Sequence, residues 1–293
     1  MSKLIRQSLV LLTAVLLNSE AFTQAPKLTA REVIARIQQH DGVPWNSNTV
    51  DTIKAGNPDT PVTGVAVTMM ATLDVLQRAA ASGNNLIITH EPTFFDHLDV
   101  SDALPEKESD AVLMAKRDFI ERLHLVIWRY HDHWHARHPD GIEVGMINAL
   151  GWQKFADPNN PYLFHMPDTT LEKLAAEIKN KLRIRVMRVV GDPNLHITNL
   201  AMAPGASGFT RHAQALEMAG VQALVIGEAR EWETVEYVAD AVTEGKQKSL
   251  IILGHIPSEQ AGMEECARWL KTFLPEVSIE FVPAKEPFWS PQP

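Results

Sequence analysis

Three loops of this chain combine histidine with acidic residues, the side-chain types that bind divalent metal ions in proteins. Each loop follows a short apolar run that is predicted to be a β-strand. The pairs are LIIT before His90 and Glu91, LVIWRY before residues 131–135, and LIILG before residues 255–259. One such pair is more often a hydrogen-bonded loop than a metal site, but three pairs at equivalent strand ends predict a shared metal centre.

Predicted strands and helices alternate along the chain, which indicates an α/β fold with mainly parallel strands. The spacing predicts helices over residues 233–243 and 258–273, with His255 closing the strand before the second of them and Glu259 in its first turn. Residues 157–161, Asp-Pro-Asn-Asn-Pro, mark the predicted seam between two lobes. Open α/β sheets bind ligands beyond the carboxyl ends of their strands, so we expect the three loops to converge.

The composition argues against two classes of partner. The formal net charge is −9 and the sequence has no block of Lys and Arg, which argues against nucleic-acid binding and against a basic membrane-surface helix. The only cysteine, Cys266, cannot form an intramolecular disulfide and is predicted to pack in the core. With 293 residues, 45% of them hydrophobic, the chain can bury a core without disulfides.

The N-terminus has the layout of a secretory signal peptide. Lys3 and Arg6 precede an apolar run over residues 9–17, and small residues follow it. We expect residues 1–25 to be removed, with a mature N-terminus between positions 22 and 27 and a periplasmic or secreted product. No later stretch has about 18 uninterrupted apolar residues, so no membrane contact is expected after cleavage.

The order of the motifs resembles that of the Nif-three-like proteins, a family also catalogued as homologues of type 2 GTP cyclohydrolase I. In that family one strand ends in two histidines and a proline, matched here by LIITHEP. A second strand ends in His-Thr-Asn-Leu-Asp before a glycine and a helix, matched by YHDHWHARHPDGIEVGMINALGW. A Gly-Glu loop, VIGEAREWETV, and the specific motif GHIPSE follow in the family order, so the resemblance spans nearly the whole chain after the signal peptide.

Two departures from the family pattern offset each other. Glu91 stands where the family has its second histidine, and His135 stands where the family has an aspartate. Together with His90, His255 and Glu259 they keep three imidazoles and two carboxylates, which suits two divalent ions (Zn, Mn or Fe) bridged by a hydroxide. Two points stay open: whether Asp132, His133 or His135 replaces the aspartate, and whether His131 is a ligand or lies behind one. The predicted metal residues are His90, Glu91, His131, His135, His255 and Glu259.

The resemblance implies two similar α/β lobes of mainly parallel strands that face each other across a metal-containing cleft. We place them at residues 26–156 and 157–293, with the C-terminal metal motif returning to the shared cleft, and expect a homohexamer. The expected function is metal-dependent hydrolysis of a small phosphate- or nucleotide-containing substrate, with Glu259 as the catalytic residue because it helps hold the metals. The alternative is a non-catalytic metal-binding assembly or scaffold protein.

Three further features have competing interpretations. Glu228 and Glu231 could supply a general base, although solvent-facing carboxylates are the slightly preferred interpretation. The glycine-rich stretch 203–212 could present backbone N–H groups to an anion, but a plain strand-to-helix turn explains it better. The His131-x-His133 spacing suggests a metallo-β-lactamase-like site, but that fold expects Asp and His where this chain has His135 and Ala136.

Overall fold

The computed structural model describes residues 27–101, 104 and 109–291, and it contains two five-stranded sheets. The predicted signal peptide at residues 1–25 lies outside the described residues. Among the residues that are described, no helix combines the length and apolar character needed to cross a membrane.

The first sheet is a mainly parallel sheet with one antiparallel edge. Its strands are β1 (Ile53–Ala55), β2 (Val65–Met70), β3 (Leu86–Glu91), β4 (Val126–Arg129) and β10 (Ile279–Phe281). They lie in the order β1-β4-β3-β2-β10, and only β1 runs antiparallel to its neighbour. Helices cover the buried central strands, which explains why β3 and β4 are nearly continuous apolar runs.

The helices of the first lobe begin at recognisable caps. They are α1 (Ala30–His40), α2 (Leu73–Ala81) and α3 (Ala111–Arg122). At the start of α1, Thr29 and Glu32 form a reciprocal capping box. Thr72 and Asp110 cap α2 and α3 by accepting a backbone N–H.

The second sheet has a parallel centre between two antiparallel edges. Its strands are β5 (Leu163–Thr170), β6 (Arg188–Val190), β7 (His196–Ala203), β8 (Ala223–Ile226) and β9 (Ser249–Ile252), in the order β5-β7-β8-β9-β6. Its helices are α6 (Leu171–Lys181), α7 (Phe209–Glu217) and α8 (Glu236–Thr243), the last preceded by a π-helical turn over Glu231–Val235. The two sheets confirm the predicted α/β class, with two lobes of mainly parallel strands.

Two helices join the lobes by packing closely against each other: α5 (Gly141–Leu150) and α9 (His255–Leu270). A Cβ atom at Gly145 would lie 2.3 Å from the carbonyl oxygen of Ala261, and one at Gly262 would lie 2.5 Å from the Cα of Ile142. Glycine at both positions therefore permits a helix contact that any larger residue would push apart.

The C-terminal part of the chain returns to the first lobe. Met263, Cys266 and Leu270 of α9 are buried in the core of the first sheet, and β10 pairs with β2. Cys266 is thus a core residue. The division at residues 156 and 157 stays a prediction about domains; the strand pairing adds residues 279–281 to the first sheet.

Candidate metal centre

Three chain segments bring the predicted ligands to one end of the first sheet. His90 and Glu91 are the last two residues of β3. His131 precedes the short helix α4 (Asp132–Ala136), and the N–H of His135 donates to the carbonyl of His131 at 3.0 Å. Residues four apart share a helix face, so these two histidines point the same way.

The third segment differs from its prediction. Strand β9 ends at Ile252, and His255 is the first residue of α9 rather than the last of the strand. Gly254, at φ 94°, turns the chain directly from strand to helix. His255 and Glu259 therefore lie four residues apart on one helix face, which directs both side chains toward β3.

The six predicted residues form one group, which we call the His/Glu cluster: His90, Glu91, His131, His135, His255 and Glu259. One ligand-type atom each from His90, His131 and His135 lie within 4.8 Å of one another, and so do those of His90, Glu91 and Glu259. The two sets share His90, which is fully buried. These sets are candidate metal-binding groups of the kind that the sequence predicted.

The Nε2 atoms of the four histidines face the two carboxylates. His255 Nε2 lies 3.1 Å from Glu259 Oε2 and 3.2 Å from Glu91 Oε1. His90 Nε2 lies 3.8 Å from Glu259 Oε2, and His135 Nε2 lies 4.0 Å from Glu259 Oε1. His131 Nε2 lies 3.7 Å from Glu91 Oε1. Each carboxylate is therefore shared by at least two imidazoles.

The Nδ1 atoms of the same histidines face outward to acceptors. His90 Nδ1 lies 3.2 Å from the carbonyl oxygen of Tyr130. His131 Nδ1 lies 2.9 Å from Asp132 Oδ1, and His135 Nδ1 lies 2.8 Å from Asp140 Oδ2. His255 Nδ1 lies 3.6 Å from Glu228 Oε1. In His90, His131 and His135 the acceptor at Nδ1 is within hydrogen-bond distance, so it favours the proton there and leaves the Nε2 lone pair for a metal, as is usual for metal-binding histidines.

Three buried atoms of the cluster lack hydrogen-bond partners among the described residues: His90 Nε2, His255 Nε2 and Glu259 Oε2. A buried polar atom without a partner costs about 1–3 kcal/mol. His90 Nε2 and His255 Nε2 lie 3.8 and 3.1 Å from Glu259 Oε2, so a cation beside that oxygen would be close to all three atoms. The donor set of imidazole and carboxylate, without cysteine, suits Zn, Mn or Fe.

Burial and charge act in opposite directions on two of the histidines. Burial, followed by the charges of His131 and His135, holds the pKa of His90 well below its usual range. Burial also disfavours the charged form of His255, but the carboxylates of Glu228, Glu259 and Glu91 outweigh it and raise the pKa to about 12. The three acidic groups thus create a strongly negative position, which is what a cation site requires.

The run from His131 to His138 divides into ligand-type and structural residues. His135 belongs to the cluster, whereas His133 Nδ1 lies 2.7 Å from Asp51 Oδ2 and its Nε2 accepts from the N–H of Asn46 at 2.9 Å. Asp132 lies behind His131 rather than beside His90. Of the three residues left open for the family's aspartate position, the geometry thus brings only His135 to the other candidate ligands.

Sequence reasoning missed the residues that support the cluster. Arg129 is fully buried, lies 3.4 Å from Glu91 Oε2, and donates through Nε to the carbonyl of His90 at 3.0 Å. An arginine inside the apolar run LVIWRY is a usable signal, since a buried guanidinium requires acceptors. Asp140 also supports the cluster through His135, and nothing in the sequence links the two residues.

The structure also shows where the two other acidic residues and the glycine-rich stretch lie. Glu228 stands beside His255 with its side chain 54% exposed, whereas Glu231 is exposed and pairs with Arg188 at 2.5 Å. In the glycine-rich stretch, a Cβ atom at Gly205 would lie 2.2 Å from Glu259 Oε1. This stretch therefore forms a wall of the cluster, and its glycine gives Glu259 room.

Comparison with known proteins places the fold and the motifs in one family. Residues 44–287 match the family described as Duf34/NIF3 (NGG1p interacting factor 3). A Clostridium acetobutylicum protein named GTP cyclohydrolase 1 type 2 homolog is 24% identical over 239 residues, covering 78% of this chain and 83% of its own.

Solved structures share the fold at low sequence identity. Staphylococcus aureus hypothetical protein SA1388 is 19% identical, with a TM-score of 0.71 over 90% of this chain and 99% of its own. A Bacillus cereus protein related to NIF3 is 14% identical, with a TM-score of 0.68 over the same shares. The family match covers most of the chain, and the chain belongs to the Duf34/NIF3 family.

Proposed function

We propose that this protein binds two divalent metal ions at the His/Glu cluster and uses them to hydrolyse a small substrate that contains a phosphate or a nucleotide. The observation that carries the proposal is the set of three buried, unpartnered atoms on His90, His255 and Glu259. Two divalent ions in such a site would supply Lewis-acid activation of water and stabilise developing negative charge.

The residues of this chain have distinct roles in that proposal. Glu259 and Glu91 supply negative charge between the histidines, and Glu259 faces the Nε2 atoms of His90, His135 and His255. Arg129 holds the second oxygen of Glu91 and so fixes how that carboxylate is turned. Asp140 orients the ring of His135.

The experiment measures metal content and turnover on the same samples. Protein purified without chelator should contain close to two divalent ions per chain. It should hydrolyse a member of a panel of aryl phosphates and nucleotides that includes GTP, because the Clostridium relative is named a GTP cyclohydrolase homolog. Glu259→Gln keeps the shape but removes one negative charge, so metal affinity and turnover should both fall by roughly 10–100-fold or more.

A matched control is His165→Ala, which removes an exposed histidine bonded to Asp157 and Asn199 in the second lobe. Its metal content and turnover should equal those of the wild type. Turnover that persists after complete metal removal would refute the hydrolase proposal, whatever the substrate.

The second candidate function is a metal-stabilised assembly protein. It is favoured by one observation: α9 carries His255 and Glu259 and also packs into the core of the first sheet. Ions bound there would fix the two lobes together without chemistry. This function predicts no metal-dependent turnover in the wild type, and a Glu259→Gln variant whose main defect is in the size of the expected hexamer.

We also propose that the protein is exported, on the strength of the signal-peptide pattern at residues 1–25. Protein recovered from the cell envelope of its host should begin between positions 22 and 27. An intact Met1 or Ser2 in that fraction would contradict export.

A further inference from the structure

A cavity of about 560 Å³ adjoins the His/Glu cluster at the carboxyl ends of β2 and β3. Glu91 forms part of its wall, so the cavity and the cluster share a residue. Cavities of about 300–1,000 Å³ are typical of small-molecule sites, and this edge of a parallel sheet is where such sites usually lie. A second cavity of about 450 Å³, lined by Lys54 and Arg117, includes no residue of the cluster.

The walls of the cavity beside Glu91 are mostly apolar. Its apolar lining includes Met70, Leu73, Phe95 and Val112. Phe95 and Val112 remain 51% and 67% exposed, although each is a large hydrophobic side chain. A thioether and an aromatic ring beside aliphatic groups make a suitable surface for a planar ring.

The loop that carries Phe95 is held in place by its own acidic residues. Asp99 Oδ1 accepts the N–H of Phe94 at 2.9 Å, and Asp96 Oδ1 accepts the N–H of Leu98 at 2.9 Å. Phe95 itself lies at φ 69°, a conformation that a bulky residue rarely adopts. The hydrogen bonds on both sides maintain this conformation and keep the ring at the cavity.

One buried cation lies in the cavity wall. The ammonium group of Lys116 donates to the carbonyl oxygen of Thr93 at 2.5 Å and lies 5.2 Å from the centre of the Phe95 ring. Lys116 is only 5% exposed, and burial lowers its pKa to about 8 while Asp99 opposes that shift. An ammonium has three donors, and an anionic ligand would use those that the Thr93 carbonyl leaves free.

We propose that this cavity is the substrate pocket, and that it selects an aromatic group which carries its own anionic substituent. The ring lies between Met70, Leu73 and Phe95, the anion contacts Lys116, and the bond to be hydrolysed extends past Glu91 to the cluster. This orientation of the bound substrate rests on the proposed hydrolase function. Binding of the anionic ring does not require turnover and is tested separately.

The test compares two dyes on the full, metal-loaded chain by fluorescence titration. One is 8-anilinonaphthalene-1-sulfonate, which is anionic, and the other is N-phenyl-1-naphthylamine, which has the same rings without the charge. Lys116→Met keeps the apolar stem and removes the charge, so it should lower the affinity for the anionic dye by roughly tenfold or more. The affinity for the neutral dye should change by less than about twofold, because the contacts of its rings remain.

Two further variants complete the test. Lys285→Met removes an exposed cation that pairs with Asp74, and it should change the affinity for neither dye. Leu73→Trp fills the cavity, so it should lower the affinity for both dyes. The proposal is overturned if the wild type and Lys116→Met bind the anionic dye with equal affinity. It is also overturned if Lys116→Met loses the same amount of affinity for both dyes.

The result is distinguishable from failure of the hydrolase proposal. If the dye pattern holds but the metal-loaded protein hydrolyses nothing in the panel, the pocket stands and the hydrolase function fails. If an aryl phosphate that carries a carboxylate on its ring is hydrolysed and its KM is the same in Lys116→Met, the hydrolase function stands and the pocket assignment fails.

Discussion

Two fully buried histidines in this molecule have opposite surroundings. His90 at the end of β3 bonds through Nδ1 only, and its Nε2 faces two carboxylates and other imidazoles without a partner. His212 in α7 bonds through both nitrogens, to Ser207 Oγ at 2.9 Å and to Thr234 Oγ1 at 2.7 Å. Burial lowers the pKa of both, so neither burial nor the direction of the pKa shift identifies a metal ligand. What distinguishes His90 as a candidate metal ligand is its unpartnered nitrogen.

The largest expected effect is on bound metal. His90→Leu removes the residue shared by both candidate ligand sets, so bound metal should fall by at least tenfold, while His212→Leu should leave it unchanged. Elemental analysis of both variants, purified identically, checks this. Equal metal content in the two would show that the unpartnered nitrogen is not diagnostic.

A smaller loss of affinity is expected at Asp140, which uses its two oxygens for different purposes. Oδ1 accepts the backbone N–H of Ile142 at 2.7 Å as the cap of α5, and Oδ2 holds the ring of His135. Asparagine caps a helix equally well, so Asp140→Asn should change only the second contact. Metal affinity should fall by roughly 10–100-fold in a competition titration. The metal-free protein should melt at the temperature of the wild type, and a lower melting temperature would point to a capping effect instead.

Without metal, the order of the two histidines should reverse. His212→Leu removes the partner of the Thr234 hydroxyl and leaves the Ser207 hydroxyl only the carbonyl of Ala203 at 3.4 Å, so it should lower the free energy of unfolding by about 1–3 kcal/mol. His90→Leu removes an unpartnered nitrogen and should cost less. Urea denaturation in the presence of a chelator measures both, and a larger loss for His90→Leu would contradict the comparison.

The last effect concerns pH. The pKa of His212 is lowered to about 4 by burial and then by the charge of Arg211, whereas histidine in an unfolded chain titrates near 6.5. Between these values the unfolded chain binds a proton that the folded chain does not, so the free energy of unfolding should fall as the pH drops from about 6.5 to about 4. The slope due to His212 is at most about 1.4 kcal/mol per pH unit. In chelator, His212→Leu should show a shallower slope over this range than the wild type, and parallel curves would refute the assignment.

The parts of the site that the sequence predicted are those set by strand ends. Apolar runs followed by His90, His131 and His255 are visible locally, because a buried parallel strand is continuous and its ligands follow it. The sequence predicts a loop where helix α4 lies, since five residues are too few to show a helical period. That helix also decides between His133 and His135, because only residues four apart share its face.

The remaining misses depend on contacts between distant segments. Strand β10 has three residues and pairs with β2 more than 200 positions earlier, which no local pattern encodes. Arg129 and Asp140 could be recognised individually as a buried cation and a helix cap, but their second contacts depend on where β3 and α4 lie. Local sequence shows which hydrogen-bonding or charged group a residue carries, and the tertiary fold determines which residue that group contacts.

If an ion binds at the His/Glu cluster, helix α9 couples the affinity for that ion to the docking of the two lobes. Its first turn carries His255 and Glu259, its middle fits against α5 at Gly262, and its last turns lie in the core of the first sheet. An ion held by its first turn would stabilise the docked helix by the same free energy by which undocking weakens the hold on the ion. Any partner or ligand that shifts α9 would therefore act as a regulator of metal loading, and amide hydrogen exchange along α9 would report how much ion is bound.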